Sequence, residues 1–150
     1  YYGSVSHNSK AVYQRYMGWY DSNPADLNPL PPVEAAKKYV EFMGGEDQVL
    51  TNAKKSIAAG EYRWAAEVLK HVVFADPKNQ TARDLQADAF EQLGYQSENA
   101  TWRNEYLMGA YELRHGIPNN PPISTASVDM VEAMDTELIL DYMGVRLNTD

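Results

Sequence analysis

The apolar positions of this chain recur at helical spacing. Val12, Tyr16, Trp19 and Tyr20 follow the i, i+4, i+7, i+8 rule of one helix face, and Tyr13 and Met17 widen it. Asn8 or Ser9 is the expected cap of this first helix, which should run to about Tyr20. Apolar around much of its girth, it is expected to be buried on more than one side. A connector follows, with four of the eight prolines between Pro24 and Pro32. Proline lacks an N–H and fixes φ, so this stretch should be extended. Pro32 suits the first position of a second helix, running to about Met43 and stopped by Gly44-Gly45. Further helices are predicted over about Glu46–Ala59, Tyr62–Ala75, Gln80–Leu93 and Glu98–Arg114. Gly60, Asp76-Pro77, Gly94 and Gly116 are their expected stops. Connections this short make consecutive helices antiparallel neighbours.

One segment has a tighter pattern. In GEYRWAAEVLKHVVFADP, the positions Gly60, Tyr62, Ala65, Leu69, Val72 and Pro77 resemble a tetratricopeptide repeat. Gly60 permits the turn within a helix pair, Ala65 is small where two helices approach, and Pro77 ends the second helix. Gly94 lies one repeat length further on and is expected to turn the next pair. The second copy is degenerate. The fold class is therefore all-α, built of antiparallel helical hairpins with TPR-like packing. A protein-docking adaptor is one function such packing allows.

Ile117–Ser124 is a second proline-rich stretch and the expected domain boundary. Beyond it, Ser127 can cap a helix over about Val128–Met134, and Thr136 another over about Glu137–Met143. A strand near Val145–Leu147 is conceivable from the apolar run there. Val128, Val131, Met134, Leu138, Leu140 and Met143 would want a partner surface.

Composition narrows the partners. With 150 residues, 44% hydrophobic and 23% charged, the chain is globular and long enough for a core. Its net charge of −8 and pI of about 4.8 repel phosphate backbones, so nucleic acid is not an expected partner. There is no cysteine, which excludes disulfides and thiolate chemistry. No apolar run is long enough for a membrane span. A chain opening on Tyr1-Tyr2-Gly3 without Met reads as cut from something longer.

The chemistry is sparse. The three histidines, His7, His71 and His115, form no short-range ligand pair, and zinc needs three or four ligands converging at about 2 Å. No metal site is expected here. No nucleophile elbow, P-loop or dinucleotide glycine motif is present. Asn99-Ala100-Thr101 fits a glycosylation acceptor, a common pattern.

The succession YYGSVSHNSKAVYQRYMGWYDSNPADLNPLPP, KKYVEFMGG, GEYRWAAEVLKHVVFADP and LQADAFEQLGYQSENATWRNEYLMGAYELRHG closely resembles the SDS-hydrolysing type of bacterial alkyl sulfatase, in the metallo-β-lactamase superfamily. The resemblance covers nearly the whole chain. It implies three parts in the parent: a dizinc hydrolase domain, a central helical dimerisation domain, and a domain like sterol carrier proteins. Residues 1–9 would then be the seam from the catalytic domain. Residues 10–116 would be the helical dimerisation domain, 117–123 a linker, and 124–150 the start of the sterol-carrier-like part. The zinc-binding H-x-H-x-D-H motif is absent from this sequence, so the chain alone is expected to be inactive. The two zinc ions would sit in the parent's catalytic domain. The resemblance also implies a homodimer and a periplasmic or secreted location.

Two sets of residues become candidates. His7, Asn8, Tyr13 and Arg15 would border the parent's substrate cleft, although Asn8 can equally be a helix cap, and Tyr13 and Arg15 can merely pack. Trp19, Tyr39, Phe42, Trp64, Val68, Trp102 and Tyr106 are candidates for the dimer interface or the core, because aromatic residues dominate both.

Overall fold

Helix starts are set by side-chain oxygens that accept from otherwise unpaired backbone N–H groups. At the first helix that oxygen is Ser4 Oγ, 3.2 Å from the His7 N–H. The helix α1 (Val5–Met17) therefore begins a turn earlier than Asn8 or Ser9 would have set it, and it ends where Gly18 turns at φ +79°. Asn8 is inside the helix and not its cap. No α1 side chain is buried, contrary to the expectation from its apolar girth. Periodicity identifies an apolar face but not what covers it.

The computed structural model describes residues 3–119 and 127–146. These are helical with no strand among them, in two units divided between Pro118 and Asn119. After α1, the connector holds one 3-10 turn, Pro24–Asp26, closed by Asn23 Oδ1 accepting from the Ala25 N–H at 3.1 Å. The helices α2 (Pro32–Phe42), α3 (Glu46–Ala58), α4 (Tyr62–Ala75), α5 (Gln80–Tyr95) and α6 (Ala100–His115) complete the first unit.

The core is centred on α4, which packs against α2, α3 and α5. Leu69 and Val72 are its largest fully buried side chains. Val40 of α2, Val49 and Ala53 of α3, and Ala82 and Ala89 of α5 close around them. Ala65 is fully buried, and Gly60 takes φ +79° at the turn into α4. Small residues at these contacts let helix backbones approach, so more side-chain surface leaves water. Asn79 caps α5 by accepting from the Ala82 N–H at 3.0 Å, while its Nδ2 donates to Glu46 at the start of α3 at 3.1 Å.

Gly94 does not turn a helix pair. It lies inside α5, where an added Cβ would come 2.8 Å from Leu107 Cδ2 of α6. The absence of a side chain serves close packing there, a requirement set by a residue thirteen positions away. The α5–α6 pair is further tied by Arg114, which ion-pairs with Asp88 and Glu91, and by Arg83 Nη2, which donates to the Glu112 carbonyl at 3.2 Å.

The second unit contains α7 (Val128–Glu132) and α8 (Thr136–Arg146). Ser127 Oγ accepts from the Met130 N–H at 3.3 Å, and Asp135 Oδ1 accepts from the Leu138 N–H at 2.8 Å. Asp135 thus supplies the side chain expected of Thr136. Val145 is helical, which overturns the strand expectation at that position; Leu147 and the linker positions 120–126 lie outside the described residues. Val128, Leu138, Leu140 and Met143 are exposed.

Candidate functional site

Two features of the first unit stand out: a tethered N-terminal helix and an uncovered apolar face. The tether is the contact between His7 on α1 and Trp102 on α6. Trp102 Nε1–H donates to His7 Nδ1 at 2.8 Å, and the rings meet edge to face with centroids 6.0 Å apart. Lys10 Nζ, one turn along α1, sits 5.5 Å from the Trp102 ring centroid, within reach of a cation–π attraction. A neutral imidazole must accept at Nδ1 for this bond to form, which leaves the proton on Nε2.

The structure does not bring the four cleft-border candidates together as one cluster. His7 is turned to α6, whereas Asn8 and Tyr13 line a shallow groove on α1 together with Val5 and Val12. Arg15 is exposed in the last turn of α1, where a cation complements the helix C-terminus. α1 runs unbroken through residues 9 and 10.

The interface candidates divide in the same way. Val68 belongs to the core. Trp102 is held by His7, and Tyr106 packs against Phe90 with ring centroids 5.8 Å apart. Trp19 is 69% exposed, Phe42 is 92% exposed, and Tyr39 and Trp64 are each more than half exposed. Tyr39 also stacks on His71 with centroids 4.4 Å apart, joining α2 to α4. Burial, aided by the charge of Lys70, holds the His71 imidazole below its ordinary pKa.

Leu27, Leu30 and Val33 extend this exposed apolar surface along the connector and the start of α2. A groove of about 550 Å³ runs between the connector and α2, lined by Pro29, Leu30, Ala35, Lys38, Tyr39 and Phe42 among others. Sequence patterning found the α1 face but missed the connector leucines, which follow no helical period. Large apolar groups left uncovered in this density mark an interaction surface.

Among the described residues no three His, Asp or Glu side chains come together as a metal site would need, and no helix is long and apolar enough to cross a membrane. His7, His71 and His115 are each engaged with a ring of their own: Trp102, Tyr39 and Tyr111. These residues do not fit a zinc centre. The glycosylation acceptor Asn99 is only 4% exposed, and its Oδ1 accepts from the Thr101 N–H at 3.0 Å as the cap of α6. Its Nδ2 is buried without a hydrogen-bond partner.

Comparison with known proteins places this helical unit in context. The chain is 57% identical over 148 residues to the alkyl/aryl-sulfatase BDS1 of Saccharomyces cerevisiae, covering 99% of this chain and 23% of that protein. It is 55% identical over 150 residues to an (R)-specific secondary-alkylsulfatase of Pseudomonas sp., covering 100% and 22% respectively. The solved structure of the stereoselective inverting sec-alkylsulfatase Pisa1 from Pseudomonas sp. matches with a TM-score of 0.80 at 55% identity, over 100% of this chain and 23% of that one. The chain thus spans less than a quarter of the length of these relatives, and the likeness extends beyond bacteria to yeast. The family model for alkyl sulfatase dimerisation matches residues 1–116, and to that family the chain belongs.

Proposed function

We propose that this chain is the helical dimerisation module of a larger enzyme that hydrolyses alkyl sulfate esters, dodecyl sulfate among them. The observation that carries the reading is the match to the dimerisation family over residues 1–116, a span that leaves Tyr16, Trp19 and Phe42 uncovered in a single copy. Burying such rings against a second copy removes apolar surface from water at about 25 cal/mol per Å². The hydrolytic chemistry, with the two zinc ions that the resemblance implies, belongs in this reading to another domain of the larger protein. A bound divalent metal polarises the ester and supplies an activated water. This chain's part is to hold two such enzymes together and to frame one side of the cleft.

The framing role falls to α1. Asn8 and Tyr13 border the substrate cleft, while His7 anchors the helix through Trp102, and Arg15 is a weaker candidate for steadying negative charge. The second unit is the start of the sterol-carrier-like part, and the parent is periplasmic or secreted. TPR-like packing of α3–α4 against α5–α6 fits the turn at Gly60 and the buried Ala65. A free-standing adaptor for a different protein is the reading this one displaces.

Sedimentation equilibrium of the chain tests the dimerisation role: a dimer is expected, and a monomer at about 100 μM would refute it, since obligate interfaces of 2,000 Å² or more bind far tighter. The framing role is tested in the full-length enzyme by His7→Ala and Tyr13→Phe. Unchanged kcat/KM for dodecyl sulfate in both variants removes α1 from the cleft.

A further inference from the structure

Resting on the dimerisation reading, we propose that the second copy seats on the face formed by the connector and α2, centred on Leu30, Tyr39 and Phe42. Three observations select this face over the rest of the first unit.

The first is where uncovered apolar groups lie. Of the exposed large apolar side chains between residues 3 and 118, eleven precede position 43 and six follow it. Those after it are dispersed over α4, α5, α6 and the stretch beyond, as single surface hydrophobes commonly are. Those before it follow one another in sequence along α1, the connector and α2, and Leu30, Tyr39 and Phe42 line one groove. The α1 portion adjoins the proposed cleft, which leaves the connector and α2 for the second copy.

The second is charge. Residues 1–42 hold four basic side chains (Lys10, Arg15, Lys37, Lys38) and four acidic ones (Asp21, Asp26, Glu34, Glu41), for a net charge of zero. The rest of the first unit, residues 43–118, holds eight basic and eleven acidic side chains, for a net charge of −3. Two copies of an acidic chain repel each other wherever acidic surface meets acidic surface. The neutral segment is where they can meet without that cost.

The third is shape. A two-fold interface brings the same patch of both copies together, so the patch must complement itself. The connector–α2 face has both halves of such a fit. Phe42 projects from the end of α2 at 92% exposure, and the groove beside it, about 550 Å³, has apolar walls from Pro29, Leu30 and Tyr39. Lys38 and Asp26 also line that groove, giving opposite charges that a two-fold can set against each other.

The test is sedimentation equilibrium of the chain as wild type, Phe42→Asp, Leu30→Asp and Met108→Asp, with circular dichroism on each. Phe42 and Leu30 are outside the core, so both variants should keep wild-type helicity. Met108 is an exposed control on α6, which packs on α5 and away from this face. The expected result is a wild-type dimer and a Met108→Asp dimer, with dimer affinity falling about 100-fold or more in Phe42→Asp and Leu30→Asp, as at an interface hot spot. Wild-type affinity in either groove variant overturns the face while leaving dimerisation intact. Equal weakening by Met108→Asp also overturns it. A monomeric wild type removes the dimerisation reading itself.

Discussion

Gly94→Ala sets two effects of opposite sign against each other. A glycine inside a helix costs about 1 kcal/mol relative to alanine, so replacement at an open helical site is stabilising. At Gly94 the new Cβ would stand 2.8 Å from Leu107 Cδ2, 2.9 Å from Leu107 Cγ and 3.5 Å from Tyr106 Cβ. Ordinary contact begins about half an ångström or more beyond the first two of these distances, because carbon pairs are optimal near 3.5–4.0 Å. The clashing Cγ is a branch point close to the backbone, so relief requires a new Leu107 rotamer or a shift of α6. Overpacking of this kind costs roughly 1–3 kcal/mol. Arg114, bound to Asp88 and Glu91, resists the shift of α6. The net expectation is a destabilisation of about 1–2 kcal/mol, once the propensity gain is subtracted from the upper part of that range. For a chain of this size that lowers Tm by roughly 3–8 °C. Urea denaturation of Gly94→Ala, Leu107→Ala and the double variant measures it. Leu107→Ala makes room for the new methyl, so the double variant should be more stable than the sum of the singles by about 1 kcal/mol. Stabilisation by Gly94→Ala alone would show that α5 and α6 do not approach as described.

Three further outcomes are expected. Trp102→Phe keeps a ring but removes the N–H to His7; losing a bond of about 1 kcal/mol should speed amide exchange in α1 severalfold and leave α4 unchanged, and unaltered α1 exchange would count against the tether. Asn99→Ala should cost about 1 kcal/mol in urea denaturation as a lost cap, with less cost for Asn99→Asp, which keeps the accepting oxygen and removes the unpartnered Nδ2; equal costs would refute the capping role. His71 has its folded pKa below the unfolded value of about 6.5, so the unfolded chain takes up this proton first as pH falls. The contribution of His71 is therefore full above about pH 6.5 and declines as pH falls towards the folded pKa, so His71→Gln should flatten the dependence of Tm on pH there; a parallel pH profile would refute it.

The parts of the fold that could be read from sequence are those fixed by local chemistry. Tyr62–Ala75 is bounded as expected because Gly60 and Pro77 act on their own backbone. Pro32 starts α2 for the same reason. The start of α1 was ambiguous because Ser4, Ser6, Asn8 and Ser9 all carry capping oxygens, and the choice among them adds or removes a whole helical turn. Gly94 reads in sequence as a helix stop because its role depends on Leu107, and a glycine that ends a helix looks the same in sequence as one that admits a neighbour. The partnership of His7 and Trp102 leaves no local trace at all. The apolar stripe of α1 was visible, but its exposure was not, since hydrophobic periodicity is blind to whether the covering surface belongs to the same chain.

The bond between His7 and Trp102 joins positions 95 residues apart. A ribosome adding about 5–20 residues per second leaves α1 waiting roughly 5–19 s before its anchor has been made. During that interval His7 and Lys10 lack the ring that engages them in the folded first unit. Synthesis itself therefore creates a window before the tether exists, and a slower translation rate widens it, while Val12, Tyr13, Tyr16 and Met17 are exposed both before and after it forms.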